Sequence, residues 1–255
     1  MRRIFFDIET SPNIVYSWRT GHRLYISPES IIKERKIICI CWKWEHKKYV
    51  YSLKWDDNQD DKIMLQKFIE QIELADEIIG HNGDNFDIKW LRTRAIYHNI
   101  PMPVEIQSLD TLKKARKGFK FNSNKLDYIG KFLKVGEKQD TNFDLWKNVL
   151  NGDKQALKKM IDYCKNDVVL LQKVYEKLEQ YIQVNIHAGV NAGLDRWSCP
   201  TCATSHVRFN GQRVTKSGYV KYRMRCYECG KGYSVSGVVY RRFLEHQYIL
   251  KNKKK

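Results

Sequence analysis

No apolar run in this 255-residue chain approaches the length of a membrane-crossing helix, and no membrane association is expected. The opening apolar stretch carries two acids, which is not how a secretory leader reads, so the protein is expected in the cytoplasm. Internal repeats are missing, and low-complexity sequence is confined to the closing Lys-Asn-Lys-Lys-Lys, expected to be disordered. The seven cysteines are an odd number, and four of them form two C-x-x-C pairs, which argues for metal rather than disulfides. Acidic residues are scarce relative to basic ones: 29 Asp and Glu face 46 Lys and Arg, for a net charge of +17. The imbalance is uneven. Residues 186–255 hold 14 basic against 3 acidic side chains, whereas the first 185 hold 32 against 26. Such an excess points to a polyanionic partner, most simply nucleic acid.

The content that is present, 42% hydrophobic and 13% aromatic, fits a folded globular protein with one large domain and a smaller module. Residues 2–10 (RRIFFDIET), 36–43 and 48–54 read as strands, followed by a helix over 60–75, a strand over 77–81 and a helix over 85–99. A further strand is expected over 104–108, a basic loop over 113–125, and helices over 124–133 and 153–182. Residues 11–35, with Pro12, Gly21, Pro28 and several aromatics, read as an irregular insert. The order implies an α/β domain with a mixed sheet flanked by helices. Expected boundaries are residues 1–185 for this domain, 186–196 for a linker, 197–245 for a small zinc module and 246–255 for a basic tail.

Asp7 and Glu9 sit two apart on the first strand and therefore share a face. Two adjacent carboxylates repel unless a cation neutralises them, and hard divalent ions such as Mg²⁺ or Mn²⁺ prefer such oxygens. Partners are available in His81-Asn82-Gly83-Asp84-Asn85-Phe86-Asp87, where a strand passes into a helix, and in Tyr163-Cys164-Lys165-Asn166-Asp167. Tyr163 and Asp167 are four apart and share a helix face. Singly each motif is weak, since Asp84 or Asp87 could cap a helix and Tyr163 could be a core aromatic. His81 has a structural reading beside a substrate-contacting one, and Cys39, Cys41 and Cys164 read as packing residues.

FDIET, the N-x-x-x-F-D of Asn82 to Asp87 and the Y-x-x-x-D of Tyr163 to Asp167 resemble, in order and rough separation, the three motifs of the DEDD 3′–5′ exonuclease superfamily. The tyrosine resembles the DEDDy branch, shared with family B polymerase proofreading domains. FDIETSPN and IIKERKIICICWKWE also resemble stand-alone exonuclease-like proteins of bacteriophages, which would place the chain in a host cytoplasm. The resemblance covers about the first 180 residues and implies a ribonuclease H-like fold with two-metal phosphodiester hydrolysis. It implies that Asp7 bridges two Mg²⁺ or Mn²⁺ ions, and that Glu9 and Asp167 hold the ion carrying the attacking water. Asp87 would support the second ion, Tyr163 would orient the water, and Asn82 and Phe86 would contact nucleic acid. Only Asp87, not Asp84, follows the phenylalanine as the motif requires.

Near the C-terminus, Cys199, Cys202, Cys226 and Cys229 form two knuckles 23 residues apart, spacing suited to a closed tetrahedral structural Zn²⁺ site. Between and within them, Arg208, Lys221, Arg223 and Arg225 alternate with aromatics, a pattern suited to nucleic-acid contact. This stretch resembles the zinc ribbons of insertion-sequence transposases. Single-stranded DNA is the favoured substrate and RNA the second; no protein partner is indicated. The rival readings are a non-catalytic nucleic-acid binder on an exonuclease scaffold, and a transposase, against which the Tyr163–Asp167 motif speaks.

Overall fold

The computed structural model describes residues 2–21 and 24–252. Two compact units emerge, one from Arg2 to Tyr175 and one from Glu176 onward.

The first unit is built around β1 (Arg3–Thr10), whose two faces have different chemistry. Ile4, Phe6 and Ile8 point into an apolar cluster, while Phe5, Asp7 and Glu9 point the other way. After β1 come β2 (Ile14–Val15) and β3 (Ile31–Lys33), which pair antiparallel, then β4 (Ile37–Trp44) and β5 (Tyr51–Lys54). Helix α1 (Lys62–Leu74), strand β6 (Glu77–Gly80), helix α2 (Asp87–Tyr97) and strand β7 (Ser108–Asp110) follow. The main sheet runs β5-β4-β1-β6-β7, antiparallel between the first three and parallel from β1 onward. One face is covered by α1 and α2 through Leu65, Phe68, Ile69, Ile88 and Leu91. The insert is therefore not wholly irregular: β2 and β3 pair antiparallel, and Tyr16 N–H donates to the Ser30 carbonyl (2.9 Å).

Helices α3 (Thr111–Gly118), α4 (Leu126–Phe132), α5 (Phe143–Leu150) and the 25-residue α6 (Lys154–Leu178) complete the domain. Helix α6 lies on the acid-bearing face: its Tyr175 ring packs edge-on against Phe5 (5.4 Å), and its Met160, Cys164, Val168 and Leu171 are buried at helical spacing. The expected basic loop over 113–125 is in its first half a helix. Asp110 caps α3 by accepting from the N–H groups of Leu112 (2.9 Å) and Lys113 (3.3 Å), a signal that the run of lysines obscured. Helix α5 was not foreseen, because it buries only Val149.

In the second unit, α7 (Ala188–Asn191) precedes β8 (Val207–Val214), β9 (Val220–Cys226) and β10 (Gly232–Val235), an antiparallel sheet in the order β10-β9-β8. Helix α8 (Gly237–Asn252) runs through the stretch expected as a tail, because Phe243, four residues after Val239 and three after Tyr240, joins them on one helix face against the sheet's core. The last three lysines of that expected tail lie outside the described residues.

One buried ionic junction ties the first unit together. Asp61 accepts a bidentate pair from Arg94 (2.8 Å each), and also bonds from His98 (2.7 Å) and the Ile37 N–H (2.9 Å), joining α1, α2 and β4. Burial pushes the Asp61 carboxyl up, but these bonds outweigh it and hold it below the usual range. Asp61→Asn strands the Arg94 cation and should cost about 3–5 kcal/mol in urea unfolding. In the native protein this junction's contribution is complete above the unfolded carboxyl pKa of about 4 and is lost as pH falls below it.

Candidate active site

The carboxylate oxygens of Asp7, Glu9 and Asp167 lie within 4.8 Å of one another, although 157 residues lie between Glu9 and Asp167 in sequence. The β1 backbone delivers Asp7 and Glu9, and α6 delivers Asp167. Asp87 stands just outside this trio at the start of α2, where its Oδ1 accepts the Ile8 N–H (3.1 Å) between the two β1 acids. It is nonetheless near enough to raise the Asp7 pKa. Asp84 is elsewhere: it accepts from Ser108 (2.6 Å) and Lys113 (2.7 Å).

Crowding leaves its mark on every acid. Burial, followed by repulsion from Asp87, Glu9 and Asp167, drives Asp7 well above the carboxylate range. Burial and Asp167 push Glu9 to about 8, and burial lifts Asp87 to about 7. Asp167 is also raised by burial, and its Oδ1 is buried with no hydrogen-bond partner among the described residues. Four carboxylates, one of them with an orphaned oxygen, form an all-oxygen donor set that fits hard divalent cations.

Lys138, which no sequence motif flagged, supplies the protein's own partial answer. Its ammonium donates to Asp167 and to the Tyr163 hydroxyl (3.2 Å). Burial opposes its charge, but Asp167 more than compensates and raises its pKa. Burial and Asp167 push Tyr163 up to about 12, so the phenol stays protonated at neutral pH. Lys138 also lines a cavity of about 560 Å³ with His81 and with Arg116, Ser123, Asn124 and Lys125 of the basic segment 113–125. His81 has both ring nitrogens engaged, Nε2 donating to the Asn124 carbonyl (2.9 Å) and Nδ1 meeting Thr111 Oγ1 (2.9 Å), which assigns it a structural role.

A family profile described as the RNase_H superfamily matches residues 33–179, more than half of the chain. The chain belongs to the RNase_H superfamily. Its fold resembles the family B DNA polymerase of the hyperthermophilic archaeon Pyrobaculum calidifontis, with a TM-score of 0.54 and 17% identity over 70% of this chain. At that identity the likeness is one of fold, and it spans 24% of the polymerase. No curated protein matches the sequence.

Within this RNase_H superfamily domain, Asn82 occupies the left-handed region (φ +67°) at the turn from β6 to α2, a conformation asparagine tolerates well. Its N–H donates to Asp110 (3.0 Å). Phe86 packs partly against the apolar cluster, so its ring has a structural task in addition to any contact with substrate. Cys39 and Cys41 pair across the strands with Glu9 and Asp7, and with Cys164 they form a buried thiol layer behind the acids. The Cys164 thiol donates to the Asp7 carbonyl (3.4 Å).

In the second unit the four thiols of Cys199, Cys202, Cys226 and Cys229 gather within 4.8 Å of one another. Backbone N–H groups point at sulfur in both knuckles, Thr201 to Cys199 (3.4 Å) and Cys229 to Cys226 (3.5 Å), as thiolate ligands require. This donor set fits a tetrahedral zinc ion. On the sheet, Lys221, Arg223 and Arg225 share one face of β9, with Arg208 directly opposite Arg225 and Arg213 opposite Lys221. Arg213 escaped notice in the sequence because its neighbours there are not aromatic. The Arg223 guanidinium lies against Gly211, where a Cβ would come within 2.8 Å of it. Like charges directly opposed across strands are destabilising unless a polyanion neutralises them.

The raised carboxyl pKa values have a thermodynamic consequence. Carboxylates with folded pKa values above the unfolded value of about 4 penalise the fold progressively as pH rises through 7 to 8. In divalent-free buffer with zinc retained, the melting temperature should fall between about pH 5.5 and about pH 8.5, and millimolar Mn²⁺ should restore more at the alkaline end. Lys138→Met, which lacks the internal cation, should show the steeper fall. A melting temperature indifferent to pH and Mn²⁺ would contradict the arrangement.

Proposed function

We propose that the protein is a metal-dependent 3′–5′ exonuclease acting on single-stranded nucleic acid, DNA in preference to RNA, with a zinc ribbon that helps hold the substrate. The observation that carries the reading is the convergence of Asp7, Glu9 and Asp167, with Asp87 adjoining, around an orphaned carboxylate oxygen. Asp7, Glu9 and Asp167 would hold one divalent ion of the Mg²⁺ or Mn²⁺ type, with Asp7 and Asp87 supporting a second. Such ions, when bound, polarise a phosphodiester and make water nucleophilic at neutral pH.

The chain's own groups do the rest. Asp87 fixes β1 through the Ile8 N–H and so holds Asp7 and Glu9 in register. The protonated Tyr163 hydroxyl, steadied by Lys138, is suited to orient a water rather than to deprotonate it. The Lys138 ammonium offers positive charge where a pentavalent phosphate would gather negative charge. A terminal nucleotide must be unpaired to reach such a recess, which favours single strands. In the ribbon, Arg208, Lys221, Arg223 and Arg225, joined by Arg213, offer a phosphate-binding face without reading sequence.

Asp7→Ala and Asp167→Ala should each reduce hydrolysis of 5′-labelled oligonucleotides to background while the circular dichroism spectrum stays native. The wild type should produce a ladder shortening from the 3′ end with Mg²⁺ or Mn²⁺. Tyr163→Phe should slow turnover by about a hundredfold with a smaller change in KM. Full activity in either aspartate variant refutes the assignment of these acids, whereas retarded but intact substrate with wild type favours the non-catalytic binder. Cys226→Ser should release zinc, measured by elemental analysis, and weaken oligonucleotide binding, because the short ribbon draws much of its folding energy from the ion.

A further inference from the structure

Beside the end of the acid-bearing strand lies a groove that the reading above does not use. Thr10, which follows Glu9, lines a cavity of about 330 Å³ with Pro12, Arg35, Asn142, Phe143 and Trp146. Ser11, Pro12 and Arg35 are shared with a second cavity of about 770 Å³, between the β2–β3 hairpin and α2, whose far wall is Trp90 and Tyr97. The two adjoin along these residues and together make up the groove. Its entrance is held in shape by the Trp146 indole N–H donating to the Thr10 carbonyl (3.2 Å).

Arg35 stands where the cavities meet. Its guanidinium carbon lies 5.3 Å from the centre of the Trp90 ring, and its Nε is buried with no hydrogen-bond partner among the described residues. A buried donor without an acceptor is costly unless a ligand supplies one. Among the other cations along the groove, Arg94 is committed to Asp61 and Lys36 to the Gln59 carbonyl (3.0 Å), while Lys33 lines it beside Arg35. The rest of the lining is rich in aromatic surface. Tyr97 is 68% and Phe143 59% exposed. An arginine free to take a phosphate, set among ring faces open to stacking, matches the needs of a strand whose bases are unpaired.

We infer that this groove binds the single-stranded part of the substrate beside the scissile bond, with Arg35 on a phosphate and Trp90 and Phe143 as stacking faces. The inference rests on the nuclease reading for its location and on Arg35 for its chemistry. The test compares full-length wild type, Arg35→Gln and Arg35→Lys on single-stranded DNA of two, five and fifteen nucleotides. KM for hydrolysis and Kd by fluorescence anisotropy in Ca²⁺ are measured across a salt series. Arg35→Gln should raise Kd and KM for the longest strand by about tenfold and reduce the salt slope by about 0.7, with the penalty shrinking as the strand shortens. Arg35→Lys should recover the salt slope but only part of the affinity, because it lacks the planar fork. Equal Kd values and salt slopes for wild type and Arg35→Gln overturn the groove, as they would if it served a protein partner. If wild type hydrolyses none of the strands, the nuclease reading fails, while the anisotropy comparison still decides the groove.

Discussion

The burial of four acids, with repulsion added at Asp7 and Glu9, governs the chemistry of the first unit. Asp7, Glu9, Asp87 and Asp167 meet where water is scarce, and all four are pushed towards the protonated form. Such a cluster opposes folding, so the surrounding structure must hold it in place by other means. The apolar face of β1 does this, with Ile4, Phe6 and Ile8 at 0–3% exposure against α1 and α2. The Asp61–Arg94–His98 junction secures the same layer at its edge. Stability is thus concentrated on one side of the sheet and electrostatic tension on the other.

That division also explains why the site is assembled from distant segments. A single strand can present acids only on alternate positions, and two acids cannot surround an ion. The third comes from α6, laid across the sheet by Phe5 and Tyr175, and the fourth from the first turn of α2. The thiols of Cys39, Cys41 and Cys164 fill the space behind the acids with small groups, letting the helix approach closely. Lys138, from the segment between α4 and α5, gives a permanent positive charge to a site whose remaining neutralisation requires ions.

The second unit meets a different constraint. Its apolar core is a handful of residues around Trp197, Met224 and Phe243, with Tyr222 stacked on Tyr240 at 4.2 Å. A core of that size needs a staple, and the four converging thiols fit that need. The opposite face carries directly opposed cations across β8 and β9, an arrangement that wastes stability unless a polyanion covers it. Both units therefore concentrate like charge, acidic in one and basic in the other, which counter-ions of opposite sign would relieve.

Much of this could be read from the chain, and the reason is local. FDIET carries its alternation within five residues, Tyr163 and Asp167 carry helical spacing, and the C-x-x-C knuckles carry their own ligand geometry. The α/β order followed from periodicity for the same reason, whereas α3 was hidden under its lysines and α8 under an assumption about a tail. Tertiary structure shows what Asp87, singled out in the sequence by the phenylalanine before it, and Asp84 each meet: Asp87 faces the β1 backbone while Asp84 turns to Ser108 and Lys113. It alone brought in Lys138, Arg35 and Arg213, whose partners lie far away in sequence or across a strand register. Short-range spacing can specify which face a side chain occupies, but only the packing of helices and strands fixes what that face meets.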